Sequence, residues 1–186
     1  LLNAPHAFLG AWQDTLAVAL IAAWQGPAAA GFWGLALRYL KAPATLVGGA
    51  VSQALYPALA AGGAATAQGR QAVRRVMRTL ALLALPLVLA LWLCAPAAFA
   101  AAFGASWREA GELARALALY IGVHFVASPL SVATMAWGAQ AWALRLSLVG
   151  QVLFIVALAA GLAIGGLNAA GWAVSAAMAL YFGWFF

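Results

Sequence analysis

Charge is what this sequence has least of. Of its 186 residues, 6% are Asp, Glu, Lys or Arg, against roughly 25% in a soluble domain. A soluble fold could not cover its surface with so few. Disorder is excluded too, because it requires low hydrophobicity and high charge. Acids are the scarcest: Asp14, Glu109 and Glu112 are all there are. There is one cysteine, Cys94, inside an apolar run, so neither a disulfide framework nor a cysteine metal site is available. No phosphate-binding loop, metal-ligand spacing or nucleophile constellation occurs. The chain therefore reads as a non-enzyme that needs no cofactor and no metal.

What is present is apolar, at 68% of residues. A helical crossing takes about 20 apolar residues, so the length suits six crossings with short connections. The expected class is all-α, a polytopic transmembrane helical bundle. Its spans are expected at about 5–24, 29–60, 79–102, 113–137, 146–164 and 170–186. Gln25-Gly26-Pro27 and Gly165-Gly166-Leu167-Asn168 are turn signals. Pro43, Pro57, Pro86, Pro96 and Pro129 are expected to kink or interrupt their spans. The chain begins at Leu1 and ends at Phe186 within an apolar run, which suggests a piece of a longer membrane protein.

The net charge of +6 does not indicate a nucleic-acid partner. Four of the nine basic residues, Arg70, Arg74, Arg75 and Arg78, fall in one short stretch with no acid. Beside an apolar span such a cluster marks a cytoplasmic connection, with a short surface helix and anionic-lipid contact expected there. The 103–115 connection is balanced, and the turns near 25–28 and 165–168 carry no charge. This alternation places the start of the first span on the cytoplasmic side. Among the nine tryptophans, Trp33, Trp107, Trp137 and Trp184 fall near expected span ends, where indole favours the interface.

Three charges remain inside spans: Asp14, Arg38 and Lys41. Intramembrane charge costs roughly 2.5–3.5 kcal/mol on insertion scales and marks function by default. From helix rise, Asp14 and Arg38 each lie about 15 Å from the Gln25 turn. An Asp14–Arg38 ion pair is therefore expected, with Lys41 a turn deeper. Gly34, Arg38, Lys41, Thr45, Gly49, Ser52 and Tyr56 recur every three or four residues, so they share a helix face. Leu37, Leu40, Leu46 and Val47 are expected to oppose them. The polar stripe reads as the wall of a hydrated cavity for an anionic headgroup, since arginine binds phosphate in bidentate fashion. Arg38, Lys41, Thr45 and Ser52 are the candidate binding residues. Asp14 and His124 are candidates for an ion pair or for coupling to a proton.

These residues also carry a resemblance. Gly31-Phe-Trp-Gly-Leu-Ala-Leu-Arg-Tyr-Leu-Lys-Ala-Pro43, then Gly48-Gly49 and Ala54-Leu-Tyr-Pro57, is similar to the eighth transmembrane helix of bacterial polysaccharide flippases. Phe103-Gly104-x-x-Trp107-x-x-Ala110 resembles the connection after their ninth helix. These flippases belong to the multidrug/oligosaccharidyl-lipid/polysaccharide exporter superfamily. The resemblance implies spans seven to twelve, one lobe of a two-lobed exporter whose N-terminal lobe supplies the other cavity wall. It implies an undecaprenyl-diphosphate-linked oligosaccharide as substrate, moved across the bacterial inner membrane for O-antigen or other surface polysaccharide. Arg38 matches the cavity arginine of the pattern. Lys41 and Asp14 match no pattern, so their roles rest on depth. A coupling proton or sodium ion is implied. A lipid II flippase and a cation-coupled multidrug antiporter of the same fold are the alternatives.

Overall fold

The computed structural model describes residues 3–62, 66–136 and 140–185, all but a few of them helical. The elements are α1 (Asn3–Gln25), α2 (Pro27–Gly62), α3 (Ala67–Phe103), a 3₁₀ turn (Ala105–Trp107), α4 (Arg108–Ala116), α5 (Ala118–Ala136) and α6 (Gln140–Phe185). The class is all-α, as the composition requires. Ala67–Phe103 and Ala141–Trp184 are each long and apolar enough to cross a membrane, with mean hydropathy 2.3. The bent pair Ala105–Ala116 and Ala118–Pro129 counts as a third if read as one span.

Glycine makes the reversals. Gly26 adopts φ 87°, a region open to glycine at no steric cost, and Pro27 then starts α2 with φ already set. Within α6, Gly165 and Gly166 leave helical geometry, Gly166 at φ 71°. The chain doubles back there, where the turn signal stands. A Cβ on Gly161 would lie 2.3 Å from the Ala170 Cα, so the two arms touch backbone to backbone. Farther along, the Tyr181 hydroxyl donates to the Leu146 carbonyl at 2.7 Å.

The prolines do not interrupt their helices. α2 is continuous through Pro43 and Pro57, and α3 through Pro86 and Pro96. Pro129 sits buried within α5 and does not interrupt it. The strong bend, 56°, falls between α4 and α5 instead. Its cause is a side chain from α6. The Ser175 hydroxyl donates to the Ala116 carbonyl at 2.6 Å and lies 3.4 Å from the Tyr120 amide that donates to it. Ala116 and Tyr120 would pair directly in a straight helix; Ser175 has inserted between them. It is 1% exposed, so this double bond also satisfies the hydroxyl.

A second correction concerns the arginine cluster. It is not a separate surface helix. Thr66 caps α3, accepting from the Gly69 amide at 3.1 Å, and the helix then runs unbroken from the arginines into the apolar span. At 37 residues it is about 55 Å long, well beyond the roughly 30 Å hydrocarbon core. The connection expected near 138–145 is shortened, because α6 begins at Gln140; residues 137–139 lie outside the described part.

The main core joins all six α-helices, α3 through Ala95 and Phe99, around Ile21, Trp33, Leu117, Ile121, Phe154 and Val174. Trp33 is fully buried there, against Phe154 edge to face at 6.3 Å. The α2 face that carries Trp33 turns into the core. Small residues allow the close approaches. A Cβ on Gly111 would come 2.4 Å from the Pro96 Cα. Pro96 has no amide hydrogen, so the Trp92 carbonyl loses its helical partner. Arg115 replaces it, donating from Nε to that carbonyl at 2.8 Å, while its Nη1 bonds Glu112 at 3.0 Å.

Candidate functional site

α1 and α2 form an antiparallel hairpin about Gly26, and their facing surfaces enclose a cleft of about 190 Å³. Asp14 and Val18 line it from α1. Trp33, Gly34, Leu37, Arg38 and Lys41 line it from α2. Gly34 contributes no side chain, and nothing lies within 4 Å of where its Cβ would be. Beneath it, the Trp33 indole Nε1 is buried with no hydrogen-bond partner among the described residues.

The ion pair in this cleft differs from expectation. Asp14 pairs with Lys41, whose Nζ lies 3.0 Å from Oδ1 and 3.1 Å from Oδ2, and not with Arg38. Depth and direction are separate variables. Asp14 and Arg38 do stand equally far along the chain from Gly26, but α2 buries Trp33 and Leu37 and partly buries Lys41. This i, i+4, i+8 row faces inward, and the flexible lysine stem covers the axial offset. Arg38 sits one step round the helix, exposed, with no ion pair or hydrogen bond among the described residues. The side chains of Lys41 and Asp14 keep 22% and 48% of their exposure, so the pair is half open to the cleft.

The cleft therefore holds one carboxylate and two cations, with one cation already neutralised. Its chemistry suits an anion. Arg38 offers a planar fork of donors that matches a phosphate or carboxylate edge. Lys41 offers a point charge that an incoming anion would have to win from Asp14.

The other sequence candidates are not all brought here. The Thr45 hydroxyl donates to the Ala42 carbonyl at 2.8 Å, back onto its own helix. Ser52 is half-buried and does not line the cleft. The Tyr56 side chain lies outside the described ones. Leu37, expected on the opposite face, lines the cleft instead, while Leu46 is 77% exposed. The polar stripe is thus a cleft wall only over its first two turns. Farther down, Gly48 receives Pro129 of α5, which a Cβ there would meet at 3.5 Å.

His124 lies on α5, its ring 5.8 Å from that of Tyr120. Both are within electrostatic reach of Lys41 and of Asp14. Sequence reasoning missed Tyr120. The available signal was its position one helical turn before His124, on the same face. It comes into place through the Ser175 bend, since its amide is one of the two groups Ser175 holds. No group of three or more metal-ligating side chains occurs among the described residues.

No curated protein and no solved structure matches this chain. The profile of the polysaccharide biosynthesis protein family matches residues 7–112, a stretch that contains both walls of the cleft and the whole of α3. That is more than half of the sequence, and the chain belongs to the polysaccharide biosynthesis protein family.

Proposed function

We propose that this chain is one lobe of a lipid-linked oligosaccharide flippase of the bacterial inner membrane, moving undecaprenyl-diphosphate-linked glycans toward the cell surface without chemical change. The observation that carries this reading is Arg38, a guanidinium with no partner among the described residues, in the cleft beside the Lys41–Asp14 pair. A diphosphate cannot cross hydrocarbon alone, and charge-assisted hydrogen bonds can replace its water. A second lobe facing α1 and α2 would close the cleft, and rocking of the two lobes would give alternating access.

The Lys41–Asp14 pair gives the site two settings. At rest Lys41 is neutralised and Arg38 alone recruits the first phosphate. The second phosphate then competes with Asp14 for Lys41. Asp14, once displaced, becomes an anion without a partner, suited to take a proton or sodium ion, with His124 nearby as a second proton site. The cleft's net positive charge disfavours a cationic drug as cargo. A lipid II flippase would share the diphosphate chemistry, so the assay must separate the two glycans.

The full-length protein in proteoliposomes carrying fluorescent undecaprenyl-diphosphate oligosaccharide should translocate it, measured by quencher accessibility. One or two charge-assisted hydrogen bonds correspond to roughly a ten- to hundredfold loss on Arg38→Ala. Arg38→Lys should recover part of it. Full activity of Arg38→Ala at normal abundance would overturn the cavity role. Translocation of lipid II alone would reassign the substrate.

A further inference from the structure

The arginines at the start of α3 lie apart from the cleft, since no residue of α3 lines it. They form an ordered surface of their own. Arg70, Arg74, Arg75 and Arg78 are all exposed, while Gly69, Val73 and Leu80 on the other side of the helix are buried. Val73, with Val76 and Met77, packs against Leu59 near the end of α2 and Val126 of α5. The segment is therefore braced upright by its apolar face and continuous with the span above it. It cannot lie flat on the membrane as a free amphipathic helix would.

That posture sets the heights of the charges. Arg74, Arg75 and Arg78 fall within about 100° of one another around the helix axis, and about 6 Å along it. The headgroup layer on each side of a bilayer is about 5–7 Å deep. Taking the apolar run that starts at Thr79 as the hydrocarbon boundary, these three guanidinium groups fall in that layer together. Arg70 stands a further 6 Å or so outward, beyond the layer, and is not counted in the site. No acidic residue occurs between Asp14 and Glu109, so no carboxylate of this chain neighbours them in sequence.

We propose that Arg74, Arg75 and Arg78 form a binding site for the phosphate of anionic glycerophospholipids, separate from the transport cleft. The occupant is assigned by charge complementarity and by height: three bidentate donors face a layer that is populated by phosphodiesters. The bracing of α3 makes the site preformed, so binding orders little of the protein. Lipid bound here would fix the vertical position of α3 in the bilayer, and with it the far end of the helix at Phe103.

Native mass spectrometry of the full-length protein, with phosphatidylglycerol and phosphatidylcholine offered in equal amounts, tests this. The wild type should retain phosphatidylglycerol preferentially. One basic residue near an anionic surface is worth about fivefold in affinity, so each of Arg74→Gln, Arg75→Gln and Arg78→Gln should lower the preference by about that factor. Arg→Lys at all three should keep most of it, and Gln71→Ala, on the same face, should leave it unchanged. The wild type in rising salt supplies a measurement that needs no variant: the preference should fall steeply with ionic strength. Equal retention of the two lipids, or a preference untouched by both salt and the Gln variants, overturns the proposal. So does displacement of phosphatidylglycerol from these arginines by trace undecaprenyl-diphosphate lipid, which would make them a substrate site.

Discussion

Two ion pairs of equal length stand in unequal settings in this protein. Lys41–Asp14 and Arg115–Glu112 both close at 3.0 Å. The second is local, three residues apart on one helix turn, and its arginine also completes the Trp92 carbonyl that Pro96 left without a donor. Its arginine thus answers both the carboxylate and the carbonyl within the fold. The first joins residues 27 positions apart on two helices, lines a cleft, and stands beside a cation that has no counter-ion among the described residues. An ion pair whose charges answer each other within the fold reads as a brace. The one that leaves a charge over, beside a cavity, is the candidate site proposed above. Distance alone does not distinguish them.

The contrast can be broken by experiment, beginning with the packing that sets the brace in place. Gly111→Val would drive a branched side chain into the Pro96 backbone and part α3 from α4. A loss of about 3 kcal/mol or more is expected in reversible unfolding in detergent. A loss below about 1 kcal/mol would mean the α3–α4 contact is looser than described.

Asp14→Leu should follow, costing about 2 kcal/mol, a value reduced from the buried-pair range because Asp14 is half exposed. It leaves the Lys41 ammonium without a partner. The double variant Asp14→Leu with Lys41→Met should regain most of that stability and still fail to translocate substrate. Recovery of transport together with stability would make this pair a brace as well.

Arg115→Met should cost about 1 kcal/mol, from the unpaired Trp92 carbonyl, with the translocation rate per folded molecule unchanged. A specific transport defect would sharpen the comparison in the other direction, showing that the brace also acts on the site. Glu112→Gln should be smallest, at about 0.5 kcal/mol or less, because the exposed arginine retains its bond to the carbonyl.

Much of the architecture could be read from the chain. Gly26-Pro27 and Gly165-Gly166 mark the reversals because few other residues accept the positive φ of Gly26 and Gly166. The scarcity of charge isolated Asp14, Arg38 and Lys41 before any geometry was known. The pairing of Asp14 was not readable by the route taken. Helix rise gives height, and Arg38 has the right height; only the packing of Trp33 and Leu37 against the core fixes which neighbour turns inward. The bend at Leu117 was hidden for a related reason. Proline advertises a missing donor locally, whereas Ser175 acts on a helix 55 to 59 positions away in sequence. Thr45 and Ser52 share a stripe with Arg38, but periodicity could not say that the cleft ends at Lys41 or that the Thr45 hydroxyl turns back onto the Ala42 carbonyl.

That serine has a consequence for how the molecule can move. A proline crease is permanent, since the amide hydrogen that would straighten the helix does not exist. At the α4–α5 bend both halves of the interrupted bond are still present, the Ala116 carbonyl and the Tyr120 amide, parted by a hydroxyl that belongs to another helix. The bend is a clasp. Were α6 to slide away by the length of one hydrogen bond, the two groups could rejoin and α4 and α5 become a single rod, carrying Tyr120 and its neighbour His124 with them.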